Sequence, residues 1–400
     1  MGDTIKTVNE KKDTIWTHNF TTLFLANLAT YFASQMVNSL LPKYARSFGA
    51  TDTLVGIVSS AFAITALATR PFSGPAIDSW NRKKMYLTVI TMNAICMFGY
   101  GMSTSIGMVI AFRLLHGISN GTSAALCLSM ATESLPHDKI SSGIGTYMLS
   151  QVIPSAIGPA LGQWLSRTVG YKITYCISGV LILLATIQGS KLDYSGHVSK
   201  KMQVNLRTVF AKEALIPALI ICILHFGTTT ITSFITLVVD ERGISGISAY
   251  YTILALSMLI SRPVAGKIAD KYGTSTVVYP CLVIFGINLL LMAYCNTTWQ
   301  LWLCAVLYGF GYSAAYTMIQ ALALKLTPAE RRGAASSTCY AFTDIGMMLG
   351  PTVAGIIADH FGYKVMFLYA FVPLIISVVV YMAWNIRLKK AEPVGEETVA

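Results

Sequence analysis

Four hundred residues, 54% of them apolar and only 12% charged, depart far from the balance of a water-soluble chain. A soluble helical protein would need a charged face on most helices, and a membrane barrel would need segments of about ten residues alternating in and out; neither pattern is present. The formal net charge of +11 is scattered over short polar clusters without interleaved stacking aromatics, which excludes a nucleic-acid partner.

From the start of the chain, a polar segment with Lys6, Glu10, Lys11, Lys12 and Asp13 leads into a first apolar run near Asn19. That run lacks a small-residue cleavage site and reads as a spanning helix, not a removed signal. Runs of about twenty residues, enough helix to cross the hydrocarbon, recur twelve times. They centre near Ala29, Thr65, Ala94, Ser119, Ile153 and Val180, then near Thr228, Met258, Phe285, Gly311, Gly346 and Ile375. The expectation is an all-α polytopic membrane protein with 12 transmembrane helices in contact with membrane lipids. Tails are expected over 1–17 and 389–400, six-helix bundles over 18–189 and 212–388, and a connector over 190–211, the longest polar stretch inside the chain.

If both termini are cytoplasmic, most of the 29 lysines and arginines fall on the inner side, with clusters at Arg82–Lys84, Lys200–Lys201 and Arg331–Arg332. The outer side keeps only Lys43, Arg46, Arg167, Lys172, Arg242 and Lys364. This is the positive-inside bias of a multi-pass protein of the cell membrane. The eight cysteines lie in or beside apolar runs and show neither a disulfide framework nor metal-ligand spacing. No Gly-rich loop ends in Gly-Lys-Ser/Thr, so no nucleotide and no other cofactor is expected, and a gradient must supply the energy.

The halves repeat. Arg70, Pro71, Gly74 and Asp78 recur 192 positions later as Arg262, Pro263, Gly266 and Asp270; Gly117 recurs as Gly309, and Gly158-Pro159 as Gly350-Pro351. A constant offset through several helices means two copies of one six-helix unit. Two such bundles can rock about a central interface and alternate access to it, which points to a transporter that makes no bond in its cargo. One chain holds both halves of such a pathway, so a functional monomer is expected.

These residues resemble the major facilitator superfamily, and within it the twelve-helix drug:proton antiporter and metabolite efflux branch. The loop after the second helix is similar to the family's first signature, with Gly74, Asp78, Arg82 and Lys83, although Asn81 stands where that signature has glycine. Arg113 to Gly121, "RLLHGISNG", resembles the fourth-helix signature with its buried arginine. Pro154 to Gly162, "PSAIGPALG", resembles the antiporter signature of the fifth helix with its first glycine replaced; the second copy keeps that glycine as Gly346, followed by Gly350, Pro351 and Gly355.

An aspartate at a helix C-terminus opposes the helix dipole, so Asp78 needs basic groups or amides nearby. With Glu133 as partner for Arg82, the set Asp78, Arg82 and Glu133 reads as an inner latch supported by the resemblance, or as simple topology holding the loop inside. The second copy keeps Asp270 and Lys267 but not the basic run, so the two latches should be unequal. Gly74 and Gly266 are expected to permit close helix approach. Gly158, Pro159 and Gly162, with Gly350 and Pro351 opposite, read as an architectural kink, or, as the resemblance implies, a gate.

Charges in oil are expensive and therefore informative. Asp344, about eleven residues into a helix starting near Gly333, is a mid-membrane carboxylate that could exchange a proton, or a structural acid tied to tyrosines or a helix dipole. Arg113, His116 and Asn120 share one face of the fourth helix. His116, and His225 in the seventh, either titrate or hydrogen-bond within the packing. Tyr308, Tyr312, Tyr316 and Gln320 form a stripe at every fourth residue, with Tyr340 extending a similar face. Tyr31, Gln35, Asn38, Tyr147 and Gln151 supply another wall. Such a set fits a wet amphipathic cavity better than a core.

The leading expectation is a secondary active, proton-coupled exporter of small organic or amphipathic compounds. The alternative is a transporter or exchanger of organic anions or zwitterionic metabolites, with Arg113 and His116 contacting carboxylate.

Overall fold

A computed structural model describes residues 14–136, 139–192, 211–328 and 331–391, and these are helical apart from their connections. The first half holds α1 (His18–Ser47), α2 (Asp52–Ser79), α3 (Arg82–Met102), α4 (Ile106–Glu133), α5 (Ile140–Val169) and α6 (Tyr171–Gly189). A short 3-10 turn (Lys212–Ala214) opens the second, followed by α7 (Leu215–Glu241), α8 (Ile247–Tyr272), α9 (Thr274–Tyr294) and α10 (Thr298–Lys325). The segment Arg332–Ala391 turns at Gly362, where φ is 77°; we name its two arms α11 (332–361) and α12 (363–391). Residues 1–13 of the expected tail, 193–210 of the connector and 392–400 lie outside the described residues.

Short polar side chains start these helices by accepting the amides left over in the first turn. Thr17 accepts from the Phe20 amide at 3.2 Å, Asn81 from Lys84 at 3.0 Å and Ser105 from Met108 at 3.4 Å. Thr297 and Gln300 form a reciprocal capping box at α10. The duplication extends to turn chemistry. Gly170, between α5 and α6, has φ 83°, and its repeat partner 192 residues on is Gly362, the left-handed break between α11 and α12.

Packing repeats as well. In the first half α1 lies on α5, α2 on α4 and α3 on α6. In the second, the α11 glycines Gly346 and Gly350 press on Cys222 and Phe226 of α7, α8 lies on α10, and Gly286 of α9 faces Phe371 of α12. An apolar core fills each half, and that of the second extends to Ala45, Ala50 and Val55 of the first. Large apolar side chains such as Leu184, Ile187, Ile376 and Val379 are exposed on the perimeter, the inversion expected where lipid replaces water.

Among the described residues, eight helical segments are apolar and long enough on composition alone to cross a bilayer, with α11 and α12 counted as one segment. The helices outside this set are α1, α4 and α5. Alternation through twelve spans puts the start of α1 and the end of α12 on one face, here the near face, and the α1–α2 turn on the far face.

Candidate functional site

A cavity of about 560 Å³ lies between the halves, a size that suits a small organic molecule. Its first wall carries Tyr31, Gln35 and Asn38 of α1, Arg113 of α4 and Gln151 of α5. The opposing wall carries His225 of α7, Arg262 of α8 and Tyr308 and Tyr312 of α10. The helices of low apolarity are thus the ones that bring polar groups to the first wall. No carboxylate lines the cavity among the described residues.

Arg113 is buried, and its donors are largely used. Nε donates to the Val58 carbonyl at 3.2 Å, one terminal nitrogen to the Ser59 carbonyl at 3.1 Å, and the other to Asn38 Oδ1 at 3.1 Å. The guanidinium also lies 5.0 Å from the Phe62 ring centroid. Backbone carbonyls have a second lone pair to give, so a permanent cation can rest here without a carboxylate. His116 sits behind it, fully buried, with Nδ1 at 3.2 Å from the Tyr100 hydroxyl. It does not line the cavity, nor does Asn120; Tyr147 is buried with its ring 6.5 Å from Phe20.

On the opposing wall the tyrosine row is continuous: Tyr308 and Tyr312 are 5.6 Å apart, and Tyr312 and Tyr316 stack at 5.8 Å. Only the first two reach the cavity; Tyr316 and Gln320 lie beyond its lining. His225 Nδ1 lies 3.0 Å from the Ile221 carbonyl, an acceptor only, so this nitrogen carries the proton. The other nitrogen lies 3.0 Å from the Tyr312 hydroxyl; in the neutral ring it accepts from that hydroxyl and orients the tyrosine.

Asp344 lies outside the cavity lining and is buried. Arg70 of α2 meets it from the other half in a two-pronged pair, Nε donating to Oδ2 and a terminal nitrogen to Oδ1, the latter at 3.0 Å. Arg70 also sits 5.1 Å from the Tyr340 ring centroid. The partner of this acid is neither a tyrosine nor a helix dipole, the partners expected of a structural acid, but a guanidinium 274 residues away in the chain.

The small residues of the fifth-helix signature bring helices together. A Cβ on Gly158 would meet Gln35, and one on Gly162 would meet the Met36 backbone, so α5 lies tight on α1. Pro159 stays inside a continuous α5, as Pro351 does inside α11. Gly355 presses on the Asp52 carbonyl and Gly56 on that of Pro351, which locks α2 to α11 across the halves. At Gly266 the structure shows no close approach: a Cβ there would meet nothing within 4 Å among the described residues. Gly74 and Asp78 lie in α2 with side chains outside the described residues.

At the near face Arg82 pairs with Glu133, and Lys83 donates to the Leu192 carbonyl at 2.6 Å. Both contacts stay within the first half, tying the start of α3 to the ends of α4 and α6. Asp270 is exposed and has no ion-pair partner among the described residues.

The far face holds a cluster that sequence reasoning missed. Asp359 of α11 accepts the Asp52 and Thr53 amides of α2 at 2.7 Å each, capping that helix from the other half. Asp52 in turn accepts from Arg46 and from the Tyr363 hydroxyl, the latter at 2.9 Å. Lys43 pairs with Asp240 at 2.6 Å. In the sequence these read as ordinary loop charges; an aspartate directly after Thr51 at a helix start was the available signal.

Comparison with known proteins agrees with this architecture. The family model of the Major Facilitator Superfamily matches residues 23–279 and 217–399. The chain belongs to that family and is a secondary active transporter in a multi-pass membrane fold. It is 26% identical to a multi-drug resistance efflux pump PmrA homolog of Lactococcus lactis, over 94% of this chain and 96% of that one. It is 25% identical to the staphylopine export protein of Staphylococcus aureus, with the same coverage. The fold is similar to the crystal structure of the nucleoside transporter NupG (D323A mutant), with a TM-score of 0.78 at 15% identity over 91% of this chain and 99% of that one.

Proposed function

We propose that the protein is a proton-coupled exporter of small organic or amphipathic compounds, working as a monomer in the cell membrane with both termini cytoplasmic. The observation that carries this reading is the Arg70–Asp344 pair, which joins α2 to α11 across the interface the halves must move about. Ionised, Asp344 holds Arg70 and keeps that seam shut. Protonated, it loses the Coulombic part of the attachment, and the seam is free to shift. A proton taken up from outside and released inside can thus alternate with cargo moving outward. The names of the related efflux and export proteins support the direction.

In this reading the near face is the inner one, as the basic residues require, and the far-face cluster of Arg46, Asp52, Asp359 and Tyr363 is the outer closure. Arg82, Glu133 and Asp78 are the inner latch, of which the Arg82–Glu133 contact holds the α2–α3 loop in position for the opposite state. Tyr31, Gln35, Asn38, Gln151, Tyr308 and Tyr312 line the cargo site. His225 tunes its wall through Tyr312.

The test is flux in proteoliposomes holding the purified chain, with a pH-sensitive dye on the inside and a panel of cationic drugs, sugars, amino acids and organic acids. At least one compound should drive proton movement when its gradient is imposed, and Asp344→Asn should abolish that coupling. Cargo flux without proton movement, or coupling that survives in Asp344→Asn, removes the antiport mechanism.

A further inference from the structure

The duplication places two arginines at equivalent positions and gives only one of them an acid. Arg70 of α2 meets Asp344 of α11. Its repeat partner is Arg262 of α8, and 192 residues before Asp344 stands Val152 of α5. α5 packs against α8 as α2 packs against α11, so the second seam repeats the first with its carboxylate replaced by an isopropyl group. Both Val152 and Arg262 line the cavity.

Arg262 is held but not neutralised. Its Nε donates to Ser313 Oγ at 2.9 Å, next to the tyrosine row. Its terminal nitrogens have no protein partner among the described residues, and the side chain is exposed. A guanidinium carries five N–H donors in a planar fork that matches a carboxylate, and it does not discharge. At membrane depth such a charge needs water or an anion. Arg113, the other arginine on the cavity, already gives its donors to two carbonyls and Asn38.

We propose that Arg262 is the cargo's anion receptor: the transported compound bears a carboxylate or an equivalent acidic group that takes the place Asp344 occupies in the other seam, with its apolar body against Tyr308 and Tyr312. This deepens the exporter reading by naming a cargo class, and it moves anion recognition from Arg113 and His116 to Arg262.

The test is equilibrium binding to the full-length protein in lipid nanodiscs, without any gradient, using three probes that differ only in charge: 3-phenylpropionate, 3-phenylpropanol and 3-phenylpropylamine. The wild type should bind the carboxylate at least about tenfold more tightly than the alcohol, a difference of about 1.4 kcal/mol. Arg262→Gln should erase that preference while still binding the alcohol, which reports an intact cavity; Arg262→Lys should keep most of it. Val152→Asp should also erase it, since an internal carboxylate then claims the arginine. Equal binding of the three probes, preference for the amine, no binding by any of them, or a carboxylate preference that survives Arg262→Gln overturns the proposal. Because binding is read without proton movement, a failure of coupling leaves this result standing, and the reverse also holds.

Discussion

The two seams between the halves are built from the same duplicated helices and have become different devices. Along α2 and α11, glycines meet backbone at Gly56 and Gly355, Asp359 caps α2, and Arg70 pairs with Asp344. Along α5 and α8 the corresponding level presents Val152 and an exposed Arg262 to the cavity. Duplication supplies two related interfaces; at the level of the repeated arginines, the exchange of Asp344 for Val152 separates a charge-paired seam from one whose arginine stays open to the cavity.

Breaking the charge lock should have the largest effect. Asp344→Ala leaves the Arg70 cation without its acceptor and should cost about 3–5 kcal/mol, the usual penalty for removing one member of a buried pair, read as a large fall in Tm in detergent. Replacing both residues together, Asp344→Leu with Arg70→Met, should recover most of that stability without restoring proton coupling, which separates the structural part of the pair from its function. Recovery of coupled flux in the double variant would show that the pair is only packing.

Steric separation comes next. Gly56→Leu drives a side chain into the Pro351 carbonyl, and overpacking of this kind costs about 1–3 kcal/mol. Spin labels placed across the far face of α2 and α11 should move apart, while the α5–α8 distance holds. Asp359→Asn keeps the shape and removes the charge from the α2 N-terminus, a loss of about 0.3–2 kcal/mol; the same label pair should show a broader and longer distance distribution. Lys43→Ala should do least, about 0.2–1 kcal/mol, because Asp240 is more than half exposed. An effect there as large as that of Asp359→Asn would mean that the far-face charges act as one network.

The twelve helices were legible because lipid enforces long apolar runs, and the repeat was legible because one offset holds from Arg70 and Arg262 through Gly158-Pro159 and Gly350-Pro351. Tyr31, Gln35, Asn38 and Gln151 reach the cavity as their spacing and depth suggest. Tyr316 and Gln320 do not, although they continue the row of Tyr308 and Tyr312, because helical periodicity assigns a face without saying how far along it the open space extends. Asp344 stood out as an acid in oil. Its partner did not, since nothing local to Arg70 announces an acceptor in the other half. The far-face cluster was hidden for the same reason: Arg46, Asp52 and Asp359 are unremarkable until α2 and α11 are set side by side.

The modest apolarity of α1, α4 and α5 has a consequence for how the protein is made. On composition alone α1 falls short of a membrane span, whereas its immediate successor α2 does not. Immersion of α1 should therefore lean on its packing partners, with the tight α1–α5 contact at Gly158 and Gly162 closing the unit. A bulky side chain at either glycine should show first as poor retention of the nascent amino-terminal bundle in the bilayer, before any effect on transport can be measured.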